Sequence, residues 1–323
     1  MTRLASWLAG AAGVALAASP AAAANWDMPT PYPDGNFHTQ NIHQFVEDVA
    51  EATDGEVNIT VHPAGSLVAH PEIKNAVRSG QAQIGEFLMS SLGNEDPLWE
   101  VDAVPFLATS YDEAERLWEV SREPIEEIID RQNMMLLYTV PWPPQGLYAD
   151  LEINDIDDLA GLRFRAYNPA TERIAQLAGA VPTQIEVPDI PQGFATGRVD
   201  SMITSASTGV NTQAWDYLSH FYDTQAWLPK NAIVVNRDAF ESLDETHQEA
   251  ILEAAAAAET RGWEASMAEH DQQTAVLEEN GVVVADPSDA LATALQEIGE
   301  TLTEEWTERA GDTGERIIAE FRN

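Results

Sequence analysis

The sequence predicts an α/β protein that folds into two lobes. Two kinds of segment alternate along the chain. In one kind apolar and polar residues alternate, as in strands, and in the other apolar residues recur every three or four positions, as in helices. Such alternation is typical of sheets, mostly parallel, that helices cover on both faces. The chain has 323 residues, and since single hydrophobic cores stop growing at about 250 to 300 residues, we expect two lobes.

Elements in the first half of the chain follow from spacing and from turn residues. The segment TQNIHQFVEDVAEATDG predicts a helix that ends at Gly55, and VNITVHP predicts a strand that ends at a proline. HPEIKNAVRSG predicts a helix that ends at Gly80, and AQIGEFL predicts a short strand. One or two helices are expected in SYDEAERLWEVSREPIEEIIDRQN, with Ser110 as the N-cap.

The second half contains one unusually long helix. It is preceded by MMLLYTV, GLRFRAY and VDSMITS, which predict strands, with a helix in NPATERIAQLAGA between the last two. From Asp244, a capping residue, to Asn280 only Gly262 interrupts the helical pattern, which gives a length on the order of 50 Å. A helix longer than one small lobe either kinks, here near Gly262, or spans both lobes. A short strand, GVVVADP, and helices through Phe321 complete the chain.

The chain is strongly acidic. Its 16 basic residues, of which only Lys74 and Lys230 are lysines, stand against 54 acidic ones, for a net charge of -38. This excess argues against nucleic acid or anionic lipid as a partner. The acids are spread over every segment, and at about 1 M salt a Debye length of roughly 3 Å screens such a surface, so we expect adaptation to a salt-rich environment.

The first residues predict a cleavable secretory signal. Residues 1–24 comprise a short charged start, an apolar run that breaks at Ser19 and Pro20, and an alanine-rich exit. The run is too short for a membrane span, which takes about 20 apolar residues. We therefore expect that the mature chain begins near Asn25 and that the protein is located in a periplasm. The chain contains no cysteine, so we expect neither disulfides nor a lipid anchor.

Positive charge is concentrated in the stretch DLAGLRFRAYN, residues 158–168. In a strand, residues two apart share a face, so Arg163 and Arg165 point the same way. Arg165 lies nearer the carboxyl end of the strand, where ligands of open α/β sheets bind, and a guanidinium can bind a carboxylate with two parallel hydrogen bonds. The alternative is a surface ion pair with Asp157 or Asp158.

The order of several segments along the chain resembles that of one known family. These segments are the secretory signal, HPAGSL, a helix ending RSG, AQIGEFL, VDAVPFL, DIDDLAGLRFRAYN, LAGAVPTQIEVPDIPQGFATGRVDS and the alanine-rich helix after LDETHQEAI. The chain is similar over nearly all its mature length to the extracytoplasmic solute-binding subunits of tripartite ATP-independent periplasmic (TRAP) transporters, the dicarboxylate-binding (DctP-like) family. The resemblance implies a two-lobed clamshell with mixed sheets, crossing strands and a long helix that spans both lobes. It implies lobe I in residues 25–148 and about 236–262, and lobe II in residues 149–235 and about 263–323. It also implies a membrane permease as the partner.

The resemblance implies roles for individual residues. The second basic residue of the family pattern GL(K/R)xR holds the substrate's carboxylate and corresponds to Arg165, whereas Arg163 occupies the less critical position. VDSMIT stands where sialic-acid and many dicarboxylate binders have VDGQEN, which puts Thr204 in the place of a ligand-binding asparagine. Gln145 stands where sialic-acid binders have a second arginine. The expected wall beside the ligand comprises Trp142, Gln145 and Tyr148.

Glu86, in the apolar segment QIGEFL, raises a second ligand class. The family's strand end faces the cleft here, and a carboxylate beside aromatic rings would attract an ammonium group. The aromatic residues expected nearby are Phe37, Trp142, Tyr148 and Trp227. Two other interpretations of Glu86 stay open: it is solvated at the end of its strand, or it is the internal ion-pair partner of Arg165. An amine or amino alcohol such as ethanolamine is therefore the alternative to an organic acid.

Enzymatic and metal signatures are missing from the sequence. Histidines such as His38 and His43 lack metal-ligand spacing, and GxSxG, GxxxxGK[ST] and GxGxxG do not occur. A secreted hydrolase stays a remote alternative, since acid pairs arise by chance in so acidic a chain. The main prediction is a binding protein without metal, cofactor or catalysis, which closes on a small monocarboxylate and delivers it to the permease.

Overall fold

The structure, a computed structural model, describes residues 23–323, so nearly all of the predicted signal at residues 1–24 lies outside the described residues. The strands are β1 (Ala24–Pro29), β2 (Val57–His62), β3 (Ile84–Leu88), β4 (Met134–Pro141), β5 (Gln145–Ala149), β6 (Arg163–Ala166), β7 (Val181–Gln184), β8 (Ser201–Ser205), β9 (His220–Tyr222), β10 (Lys230–Asn236) and β11 (Val283–Ala285). The α-helices are α1 (Phe37–Ala52), α2 (Ile73–Arg78), α3 (Tyr111–Asp130), α4 (Pro169–Leu177), α5 (Ile190–Ala195), α6 (Ala206–Asn211), α7 (Arg237–Glu241), α8 (Glu245–Glu279) and α9 (Asp289–Phe321).

The helices and strands predicted from local patterns are confirmed. The segment after Ser110 forms the single helix α3, and the Ser110 side chain accepts a hydrogen bond from the backbone N–H of Glu113. Asp244 caps α8 in the same way, accepting from the N–H of His247 at 3.0 Å. These caps occupy backbone donors that have no partner within the helix, which is why each helix begins where it does.

The fold is a two-lobed α/β architecture with mixed sheets. A three-stranded sheet has the order β3-β10-β4, with β10 antiparallel to both neighbours, and β1 pairs with β2 in parallel. A six-stranded sheet has the order β11-β9-β5-β8-β6-β7, in which β5 runs antiparallel to both neighbours and the other pairs are parallel. The expectation of mostly parallel sheets was wrong. The chain crosses from one sheet to the other just before β5 and again just before β10, and each of these strands runs antiparallel to both of its neighbours.

Two crossover segments, residues 142–144 and 223–229, connect the sheets. They lie side by side, since the N–H of Trp142 donates to the carbonyl of Pro229 at 2.7 Å. The chain therefore passes from one sheet to the other a few residues before the expected lobe boundaries, which follow residues 148 and 235. The division of the chain into lobes, with the crossovers as hinge, stays a proposal.

Helix α8 is continuous over 35 residues and spans both lobes. It packs against α1 and β4, with contacts that extend to its middle at Gly262, and it also contacts α6 and β11. The expected alternative, a kink at Gly262, is absent from the helix. Gly262 instead allows a close approach, because a Cβ at this position would lie 2.4 Å from Cγ2 of Val140.

Helix α9 also contacts both lobes. It is interrupted at Gly311, whose backbone has φ 60° and ψ -145°. Before this break it contacts α4, and the indole N–H of Trp306 donates to the carbonyl of Pro97 at 2.7 Å. After the break it packs against α3, where the guanidinium carbon of Arg116 lies 5.5 Å from the centre of the Phe321 ring. Among the described residues, no helix is both long and apolar enough to cross a bilayer.

Candidate functional site

A small cavity lies where the two sheets and the crossovers meet. Loop and strand residues of the lobe with β3 contribute Tyr32 and Leu88, the crossovers contribute Trp142 and Pro229, and the first residue of β5 contributes Gln145. The six-stranded sheet and its loops contribute Arg165, Tyr167, Val187, Thr204 and Thr208. The cavity therefore has one charged residue in a wall of aromatic, apolar and hydroxyl side chains.

Arg165 is a buried cation without an ionic partner. Its side chain is 2% exposed, and no carboxylate within residues 23–323 lies within ion-pair distance of it. Nε donates to the carbonyl of Ile185 at 2.9 Å, and the guanidinium carbon lies 4.7 Å from the centre of the Tyr167 ring. Burial lowers the pKa of Arg165, but an arginine remains protonated in proteins. A buried charge of this kind is costly until a matched anion arrives.

Arg163 has the opposite surroundings on the same strand. It is exposed, and its guanidinium forms an ion pair with Asp200 while Nε donates to the same carboxylate at 2.7 Å. Neither arginine pairs with Asp157 or Asp158, the partners considered from the sequence. The carboxylate of Asp158 instead accepts hydrogen bonds from two backbone N–H groups of its own turn.

Four of the predicted site residues come together around the cavity, namely Arg165, Gln145, Trp142 and Thr204. The amide of Gln145 is already engaged within the protein. Its Oε1 accepts from the hydroxyl of Tyr167 at 3.1 Å, and its Nε2 donates to the carbonyl of Pro143 at 2.7 Å. The lone positive charge, rather than this amide, is the group left to meet a ligand.

Four predicted residues do not line the cavity, namely Glu86, Tyr148, Phe37 and Trp227. Tyr148 is three positions from Gln145 on β5, so it points to the other face, where its hydroxyl donates to the carbonyl of Ser205 at 3.2 Å. Phe37 lies behind the wall, with its ring centre 5.5 Å from that of Trp142. Trp227 is fully buried, and only its backbone carbonyl reaches the crossover partner, accepting from the N–H of Gln145.

Glu86 lies behind the cavity wall and has no contact with Arg165. It is fully buried, so the solvated reading was wrong, and the internal pair with Arg165 is absent. One carboxylate oxygen accepts from the hydroxyl of Thr30, and the other from Nδ2 of Asn231 at 2.7 Å. Burial raises the pKa of Glu86 to about 7, although both hydrogen bonds oppose this rise. Its oxygens are thus committed to protein donors and do not face the cavity.

The structure adds cavity residues that the sequence reading missed, namely Tyr32, Leu88, Tyr167, Val187, Thr208 and Pro229. One of them had a signal. Tyr167 follows Arg165 by two positions in a predicted strand, so period-two alternation places both on one face. Leu88 ends β3 and Thr208 lies in α6, and the remaining three lie in connecting segments, where local patterns carry no information on what they face.

A larger cavity lies between α4, α9 and residues 100–105. Its arginines already have partners. Arg173 pairs with Glu305, and Arg309 pairs with Glu100. This cavity therefore offers no unpaired positive charge to a carboxylate ligand.

Comparisons with known proteins point to one family. Residues 30–309 match the family model of bacterial extracellular solute-binding proteins, family 7, DctP. The structure of DctP6, a Bordetella pertussis extracytoplasmic solute receptor binding pyroglutamic acid, is 43% identical, with a TM-score of 0.91 over 92% of this chain and 99% of that one. A marine metagenome TRAP solute-binding protein specific for pyroglutamate is 37% identical, with a TM-score of 0.90 over 92% and 98%. A solute-binding protein of Chromohalobacter salexigens is 26% identical over 74% of this chain and 72% of its own length.

Proposed function

Since the chain belongs to the bacterial extracellular solute-binding proteins of family 7, the DctP family, we propose that its ligand is pyroglutamate or a monocarboxylate of similar size. The chain is a solute receptor of a TRAP transporter: it binds a small organic acid and delivers it to the membrane permease subunits. The proposal concerns which acid it binds and which residues bind it.

The single observation that carries the proposal is the unpaired guanidinium of Arg165 at the cavity, within the part of the chain that the structure describes. A carboxylate supplies the missing counter-charge and can accept two parallel hydrogen bonds from Nη1 and Nη2. The hydroxyls of Thr204 and Thr208 lie along the same cavity and can bind the remaining polar groups. Trp142 and Tyr32 form the opposite wall.

Binding is coupled to closure of the lobes in this proposal. The cavity is formed by side chains from both sheets and both crossovers, so the ligand contacts all of them only in the closed form. A ligand shifts such an equilibrium by its difference in affinity between the two forms. We propose that the closed form is the one presented to the permease, that the chain is secreted to a periplasm through the signal at residues 1–24, and that it catalyses no reaction.

The organic acid is favoured over the amine considered from the sequence. Pyroglutamate is what the structures at 43% and 37% identity bind. The carboxylate that an ammonium group would need, Glu86, is occupied by Thr30 and Asn231. A cation would also be placed beside the charge of Arg165.

The test is thermal unfolding of the mature protein against millimolar pyroglutamate, other small monocarboxylates, ethanolamine and neutral sugars. A ligand at 1,000 times its dissociation constant stabilises the folded form by about 4 kcal/mol, which gives a clear rise in the midpoint. We expect pyroglutamate to give the largest shift and ethanolamine none. The proposal would be contradicted if only amines shifted the midpoint, or if none of the carboxylates in the panel shifted it.

A further inference from the structure

A buried polar network supports the cavity wall opposite Arg165. At its centre is Asn231, a fully buried residue of β10 that does not line the cavity. Its partners are Glu86 on β3 and two residues of the cavity wall, Tyr32 and Trp142. Glu86 and Asn231 are diagonal neighbours in the antiparallel pair, because Asn231 lies opposite Leu88 in the register.

The chemistry of these partners fixes the orientation of the Asn231 amide. The indole N–H of Trp142, which can only donate, lies 3.0 Å from Oδ1, and the hydroxyl of Tyr32 donates to the same oxygen at 3.2 Å. Nδ2 then faces Glu86 Oε1 at 2.7 Å and donates to it. The reverse orientation would set the amide N–H groups against the indole N–H and leave two oxygens facing each other at Glu86.

This arrangement leaves the wall beside Asn231 without hydrogen-bond donors for a ligand. The polar hydrogens of Tyr32 and Trp142 are both committed to Asn231, so these residues offer ring carbons to the cavity beside Leu88. The cation and the threonine hydroxyls belong to the opposite lobe. The cavity is therefore polar on one side and apolar on the other.

We infer that Asn231 is a specificity-determining residue, which sets the ligand class by withdrawing the Trp142 and Tyr32 donors from the cavity. The inference rests on the proposed function and deepens it. The favoured acid carries its carboxylate and polar ring atoms towards Arg165 and the threonines, and a hydrocarbon edge towards Trp142 and Tyr32. In pyroglutamate the two ring methylenes form this edge. A hydroxyl on the edge would lose water without gaining a partner.

The test compares two acids that differ by one hydroxyl on that edge, pyroglutamate and 4-hydroxypyroglutamate, by calorimetric titration. We expect the native protein to bind 4-hydroxypyroglutamate roughly tenfold or more weakly, since its hydroxyl is buried unpaired. Asn231→Leu frees the indole N–H and the phenol to donate into the cavity. The affinity ratio between the two acids should then fall to within about threefold.

Asn236→Leu is the matched control. Asn236 is a second buried asparagine of β10, and its amide caps α7 and donates to the carbonyl of Val77, away from the cavity. Asn236→Leu should lower the stability of the protein, but the affinity ratio between the two acids should stay as it is in the native protein. A purely structural role for Asn231 would likewise leave the ratio unchanged, and that result would overturn the inference.

Tyr32→Phe gives a second measurement that does not depend on how well Asn231→Leu folds. The phenol hydroxyl donates to Asn231, so its removal frees no donor, and the preference for pyroglutamate over 4-hydroxypyroglutamate should stay roughly tenfold or more whatever happens to the absolute affinities. A preference reduced to within about threefold would show that this hydroxyl, rather than Asn231, sets the ligand class and would overturn the inference. If the native protein binds neither acid, the proposed ligand fails and the inference fails with it. If it binds both acids equally, only the inference fails.

Discussion

Arg163 and Arg165 are two positions apart on β6, yet only one of them is buried. Arg163 is at the surface in an ion pair with Asp200, and Arg165 is 2% exposed and lies at the cavity. An exposed ion pair contributes little to stability, whereas breaking a buried pair by removing one partner costs about 3 to 5 kcal/mol. The two residues therefore serve as variant and control for one another.

Arg165→Ala should reduce the affinity for the carboxylate ligand by roughly two to three orders of magnitude, because the anion loses its partner in a closed cavity. It should leave the ligand-free protein as stable as before, since an uncompensated buried charge is removed. Arg163→Ala should change the affinity by less than about threefold. Calorimetric titration and ligand-free unfolding measure both effects. A loss below tenfold for Arg165→Ala would show that another group holds the carboxylate.

Helix α8 illustrates how tertiary packing decides the role of a glycine. On helix propensity alone, Gly262→Ala would stabilise the helix by about 1 kcal/mol. In the fold, the added Cβ would lie 2.4 Å from Val140 and 2.8 Å from Nδ2 of Asn41. Neighbours on two elements would have to move, and overpacking of this kind typically costs about 1 to 3 kcal/mol.

We therefore expect Gly262→Ala to lower the free energy of unfolding, measured by urea denaturation. The control is Ala256→Gly on the exposed face of the same helix, where only propensity acts and a loss of about 1 kcal/mol is expected. An increase in stability with Gly262→Ala would mean that α8 does not approach β4 and α1 this closely. Ligand affinity offers a further readout, because α8 connects the two lobes.

The net charge of -38 acts on the molecule as a whole. Spread over the surface, these like charges repel one another and favour expanded states at low ionic strength. Salt at about 1 M reduces the Debye length to roughly 3 Å and removes most of this repulsion.

The midpoint of thermal unfolding should therefore rise between low salt and 1 M potassium chloride, in the absence of ligand. Sucrose at equal osmolality is the control, since it is excluded from protein surfaces but screens no charge. Equal stability at low and molar salt would contradict adaptation to a salt-rich environment.

Local patterns in the sequence determined the helices, several of the strands and their caps, because spacing, turn residues and capping side chains act over a few positions. The order of motifs, through the family that it resembles, also predicted the two-lobed architecture and pointed to Arg165, which lies at the cavity. Only the tertiary structure decided that β10 crosses into the sheet of β3 and β4, since strand pairing joins segments far apart in the chain. It likewise decided that Glu86 supports the wall through Asn231 rather than facing the ligand. A side chain's partners across the core are set by the packing of distant elements, and that information is not contained in the residues on either side of it.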